Sequence, residues 1–151
     1  MSENWIIPCN IKLFDAISHF RKTKVAVWKN SFTIHSGDKA YIYIGAPYGE
    51  IRFLCEVIAE EVDDRTLKEN AYAIPAKPSH NYFSKKVKYV VLRLVTEYPS
   101  GVLTLTKLKE RGLGQVQIQA RTDRKVQQFI DQVDEDLRSS VNAGGEISNG
   151  E

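Results

Sequence analysis

The sequence predicts an α+β domain in which a small antiparallel β-barrel is decorated by helices. Three observations lead there. The 151 residues, 42% hydrophobic and 26% charged, suit one domain with a single core. Strand-like segments follow one another through the middle of the chain, without the strict strand–helix alternation of a doubly wound parallel sheet. An amphipathic helix comes late, with its apolar residues on one stripe.

The elements follow in order. WIIPCN is a short apolar run with branched and aromatic residues, and Pro8 limits it to a strand edge or strand end. Asn10 is a good N-cap for a helix over about residues 11–22. Its apolar positions are Ile11, Phe14, Ile17 and Phe20, and Arg21, Lys22 and Lys24 suit its C-terminal end. The period then changes. VAVW, KAYIYIG after a Gly37-Asp38 turn, and EIRFLCEVIAEEV read as three strands, the last with Ile51, Phe53, Cys55 and Val57 in one apolar row. Pro47-Tyr48-Gly49 supplies the turn between the second and third of these.

Residues 63–85 are polar, contain prolines and lack a clear period, which reads as a functional loop or local excursion. KVKYVVLRLVTEY is the longest strand signal, with Val90, Leu92 and Leu94 on a core face and Val91, Arg93 and Val95 on a partly covered one. Thr104 or Thr106 caps a short helix that stops at Gly112, and LGQVQIQART is irregular or strand-like. A last helix spans about residues 122–137, with Val126, Phe129, Ile130, Val133 and Leu137 on one face. The domain is expected over 1–138, with 139–151 a flexible tail.

Charge is uneven. Residues 71–130 carry eleven Lys/Arg against three Asp/Glu, while residues 131–151 carry one against six. Gathered on one face, the basic stretch makes a phosphate-attracting surface, with Lys85 and Lys86 among its members; spread out, it only solvates the approach to a strand. No apolar run has transmembrane length and the N-terminus has no secretory pattern, so a cytoplasmic protein without membrane contact is expected. Cys9 and Cys55 have no CxxC or Cys/His partner nearby and read as buried reduced thiols.

Catalytic groupings are missing. His19, His35 and His80 stand in unrelated contexts with no zinc-ligand spacing, and no P-loop, GxGxxG or GxSxG is present. The expectation is therefore a protein that is not an enzyme and holds no metal or cofactor. What remains is a binding vocabulary: Trp28 followed by Lys29, Asn30 and Ser31, then Tyr41, Tyr43 and Tyr48 around Gly45, then Gln115, Gln117, Gln119, Arg121 and Arg124. Flat rings, amides and guanidinium groups stack an extruded base, read its edge and hold the flanking phosphates.

The run WIIPCN, VWKNS, SGDKAYIYIGAP and LCEVIAEEV resembles the EVE domain of the PUA-like superfamily, related in fold to the YTH readers of methylated RNA. LTLTKLKERGL and QIQARTDRKVQQFI are similar to the tail of such domains where they precede HNH nucleases that cut DNA containing modified cytosine. The likeness covers about residues 4–133 and implies a PUA-like barrel. It also implies a base pocket with Asn10 on the rim, Trp28 as a wall and Ser31 near the base. Tyr43, Gly45 and Pro47 would line the cavity, with Tyr48 a second wall. Gln117, Gln119 and Arg121 would approach the nucleic acid, and Arg124 and Lys125 its phosphates.

The implied ligand is a flipped cytosine of DNA carrying a 5-methyl or 5-hydroxymethyl group, and a nuclease or other effector is an implied partner. No nuclease follows in this sequence, so cutting does not carry over. Alternatives are an RNA-binding module of the same fold, a scaffold whose acidic helix (Asp131, Asp134, Glu135, Asp136) faces a basic partner, and an unrecognised enzyme.

Overall fold

The computed structural model describes residues 2–29, 34–62, 89–114, 116 and 120–149. The elements are β1 (Asn4–Cys9), α1 (Ala16–Lys22), β2 (Val25–Lys29), β3 (Lys39–Ile44), β4 (Glu50–Val62), β5 (Tyr89–Glu97), α2 (Leu105–Lys109), β6 (Ala120–Arg121) and α3 (Arg124–Asn149). Six strands form one sheet in the order β2-β5-β4-β3-β1-β6.

Two expectations change here. Among the described residues the sheet is open and does not close into a barrel, since β2 and the two-residue β6 lie at opposite edges. It is also mixed, because β1 pairs with β3 in parallel, Asn4 opposite Lys39 and Cys9 opposite Ile44. A helix and a strand intervene between β1 and β3, so the chain returns before pairing and a hairpin cannot form.

The parallel register is fixed at its start by Asp38, which is 2% exposed. Its carboxylate accepts hydrogen bonds from the Glu3 backbone (2.9 Å), the Trp5 indole (2.9 Å) and the His35 backbone (3.0 Å). Lys39 N donates to Glu3 O at 2.9 Å, and Val57 N donates to Asp38 O at 2.8 Å. One residue thus ties the beginnings of β1 and β3 to β4. Gly37, at φ 93°, supplies the left-handed turn that precedes it.

Three register shifts along β4–β5 and one along β3–β4 curve the sheet. The β3–β4 shift also corrects the expected apolar row. Phe53, Cys55 and Val57 join the core on the α1 face with Ile42, Ile44, Val90, Leu92 and Phe20. Ile51 instead joins the other core with Tyr41, Tyr43, Leu54, Val126 and Ile130. The residue between them, Arg52, is nearly buried, donates from Nε to Tyr98 O (3.0 Å), and lies near Glu50 (3.8 Å) and Glu97 (3.5 Å).

The first helix is shorter than its periodicity implies. Asn10 folds back on its own turn, its Oδ1 accepting from Lys12 N at 3.0 Å. Asp15 is the cap instead, accepting from Ser18 N (3.1 Å) and Ser18 Oγ (2.7 Å). Thr104 caps α2 as expected, and Gly112 follows at φ 96°. In α3 the expected stripe does face the core: Val126 and Ile130 are buried, with Phe129, Val133 and Leu137 packed beside them. The helix runs past Leu137 to Asn149, since once nucleated each added residue fixes only its own dihedrals and gains one bond. Gln127 Nε2 donates to the Tyr41 hydroxyl at 3.0 Å, and the Tyr98 hydroxyl donates to Asp134 at 2.7 Å, tethering α3 to the sheet side. Burial pushes the Tyr41 phenol up to about 12, so it remains neutral.

The Asp38 clamp has a measurable signature. Burial works to raise its pKa, but the donors from His35, Glu3 and Trp5 together overcome that and hold the carboxyl below its ordinary value. A depressed folded pKa contributes stability above the unfolded value of about 3.9, and that stability is lost as pH falls through the folded value. Asp38→Asn should lower urea-unfolding stability at pH 7 by about 1–3 kcal/mol, and its stability should fall less than that of wild type between roughly pH 5 and pH 2. An unchanged midpoint at pH 7 would count against the clamp.

Candidate nucleic-acid interface

Because β1 and β3 start level and run parallel, they also end level. Gly45 N donates to Cys9 O at 3.0 Å, so the turns after the two strands leave the sheet side by side. Between them lies a cleft of about 330 Å³, lined by Pro8, Cys9, Asn10, Lys12, Tyr43, Gly45, Ala46 and Val116. That is near the lower end of the roughly 300–1,000 Å³ range of small-ligand pockets.

Its walls differ in chemistry. Tyr43 is buried, which raises its phenol pKa and keeps the hydroxyl protonated as a hydrogen-bond donor. Asn10 is exposed at the rim, its Oδ1 occupied by Lys12 N and its backbone carbonyl accepting from Leu13 N (2.9 Å) and Phe14 N (3.0 Å). Lys12 brings a cation to the mouth. Gly45 leaves room, since a Cβ there would only reach ordinary contact with Cys9 O at 3.6 Å. The Cys9 thiol donates to Phe14 O at 3.3 Å, and burial pushes its pKa up to about 11. Burial pushes Cys55 up to about 12. Both cysteines are free and buried, as expected.

Of the expected pocket residues, Asn10, Tyr43 and Gly45 meet in this cleft. Pro47 and Tyr48 stand just outside it, exposed on the turn after Gly45. Trp28 is not among the lining residues. It sits on β2, beyond β5 and β4 from β3, with the Phe14 ring edge-on to it at 5.5 Å between centroids. Ser31, Lys85, Lys86, Gln117 and Gln119 lie outside the described residues. Lys29 ends β2 opposite Tyr89. Pro8, Lys12, Ala46 and Val116 line the cleft without having been expected there from the sequence. Lys12 carried a usable signal, a lysine two residues beyond a strand-ending asparagine.

The cations of the later segment lie on a neighbouring part of the surface. Arg121 on β6 sits opposite Trp5, its guanidinium 6.0 Å from the indole centroid and 3.8 Å from Glu3. From Trp5 to Cys9, β1 rises roughly 13 Å, which separates Arg121 from the cleft. Arg124 and Lys125 follow, exposed in the first turn of α3, where no acidic residue stands. Among the described residues no group of three or more His, Cys, Asp or Glu stands together to hold a metal ion. No helix among them is long and apolar enough to cross a membrane.

Neither a protein-family model nor a curated protein matches the sequence. Solved structures do. An ASCH protein variant from Zymomonas mobilis superposes with a TM-score of 0.62 at 20% identity, over 87% of this chain and 96% of that one. A hypothetical protein from Leishmania major gives 0.61 at 20% identity, over 91% and 98%. Human THYN1, solved in complex with 5-methylcytosine-containing DNA, gives 0.51 at 17% identity, over 72% and 74%. At these identities the likeness speaks to the fold, and on that ground the chain has the PUA-like fold shared by ASCH and EVE domains.

Proposed function

We propose that this protein is a nucleic-acid-binding module that receives one extruded base, a modified cytosine of DNA, in the cleft at the ends of β1 and β3. The observation that carries the reading is the cleft itself, where a phenol, an asparagine, a lysine and a side-chain-free glycine converge. THYN1, which shares the fold, was solved with 5-methylcytosine-containing DNA, and this supports the choice of ligand. Lys12 at the mouth, with Arg121, Arg124 and Lys125 further along, offers partners for phosphates on either side of the base.

Binding suits this site better than covalent chemistry. A thiol at about 11 is almost wholly protonated at neutral pH, so Cys9 is a wall rather than a nucleophile. Energetics set the scale. Extruding a base costs a few kcal/mol, stacking returns about 1–3 kcal/mol, and phosphate contacts supply the rest. Enclosing one methyl gains about 0.8 kcal/mol, equivalent to roughly fourfold in affinity.

Wild-type protein should therefore bind a 5-methylcytosine duplex about 3- to 10-fold more tightly than its unmodified match, with affinity falling steeply as salt rises. Fluorescence anisotropy on matched duplexes checks this, and equal affinity for both duplexes would remove modified-base recognition from the proposal. RNA of the same sequence serves as competitor, and preferential displacement by RNA would redirect the ligand class. Gly45→Leu should fold normally, because the backbone there tolerates a Cβ, yet weaken binding at least about tenfold by filling the cleft. Iodoacetamide should label Cys9 in the native protein at least about tenfold more slowly than free cysteine at pH 7.4, as mass spectrometry would show; labelling as fast as free cysteine would reopen a thiol-based role.

A further inference from the structure

Four large hydrophobic side chains are strongly exposed among the described residues, and two of them flank the cleft: Leu13 (48%) and Tyr48 (45%). Scattered apolar residues on a surface call for no explanation. These two have matching positions. Leu13 follows the lining residue Lys12 on the turn after β1, and Tyr48 lies two residues beyond the lining residue Ala46 on the turn after β3. Since the parent strands are adjacent, parallel and level at Cys9 and Ile44, the two turns project from the same end of the sheet.

Both turns are held. The Asn10 carbonyl accepts from Leu13 N and Phe14 N, its side chain accepts from Lys12 N, and Phe14 is anchored against Trp28. On the other side Tyr48 N donates to Gly45 O at 3.1 Å, and Gly49, at φ 61°, completes the turn. Two braced apolar projections beside a base-sized hollow match the demands of base extrusion. The departing base leaves a gap in the stack, and proteins that distort duplexes fill such gaps with apolar wedges.

We infer that Leu13 and Tyr48 are wedges that enter a DNA duplex on either side of the extruded base and hold open the gap it leaves. The inference rests on the proposed base-receiving cleft but assigns these two residues a role outside it. A wedge matters only where there is a paired stack to replace. Leu13→Ala/Tyr48→Ala should therefore raise the Kd for a 5-methylcytosine duplex at least about tenfold, while the Kd for the same modified strand alone changes less than about twofold. Tyr48→Phe, which keeps the ring, should bind the duplex like wild type.

A 2-aminopurine next to the modified cytosine should brighten when wild type binds and stay dim with the double variant. Equal losses on duplex and single strand would make the two residues general contacts and overturn the inference, as would an unchanged duplex Kd or an undiminished 2-aminopurine signal. Gly45→Leu separates the two ideas: it should weaken both DNAs. If it weakens neither, the cleft reading fails and takes the wedges with it; if it weakens both while the double variant binds like wild type, only the wedges fail.

Discussion

Three hydrogen bonds to one buried carboxylate set the geometry on which the candidate site depends. Asp38 gathers the Glu3 amide, the Trp5 indole and the His35 amide, and so fixes where β1 begins relative to β3. In a parallel pair, register chosen at one end is inherited at the other, and a slip by one residue would turn every side chain to the wrong face. Cys9 and Ile44 therefore come level far from the clamp, Gly45 N reaches Cys9 O, and the hollow between the following turns exists because of it. A buried charge is costly without partners, and here the partners are the very groups that must be aligned.

Much of this was legible in the sequence, in proportion to how local the determining physics is. Five strands appear near where alternation or composition places them, the two-residue β6 falls in the segment read as irregular or strand-like, and the α3 stripe faces the core as its spacing requires. Thr104 and Gly112 bound α2 because a cap and a left-handed stop are short-range chemistry. Non-local features were harder. Asn10 and Asp15 are both competent caps, and the choice falls to Asp15 because Asn10 is spent on its own turn at the end of β1. The change of face at Arg52 follows from a register shift between two strands, which no alternation rule within one strand reveals. Parallel pairing of β1 with β3 is likewise a property of the assembled sheet. In the cleft, Asn10, Tyr43 and Gly45 were readable from strand ends and resemblance, whereas Pro8, Ala46 and Val116 enter only through three-dimensional proximity.

The charge pattern of α3 has a cost that packing absorbs. Its first turn carries Arg124 and Lys125 and no acid, against the preference set by the helix dipole. The helix holds through the buried Val126 and Ile130 and through the Asp123 carboxylate, which accepts from Val126 N at 2.9 Å. With stability secured by the apolar stripe and the cap, the exposed positions of the first turn are left available to present cations beside Arg121, on the side of the molecule that β6 shares with β1.

The place of the first strand between two later ones also bears on how the protein comes into being on the ribosome. β1 emerges before every other element, yet it is flanked in the finished sheet by β3 and by β6, the last strand. The cleft draws its walls from Pro8 through Lys12, from Tyr43 through Ala46 and from Val116. A nascent chain can pair its leading apolar segment with β3 early on one edge only, and the hollow can be completed only after Val116 has left the exit tunnel.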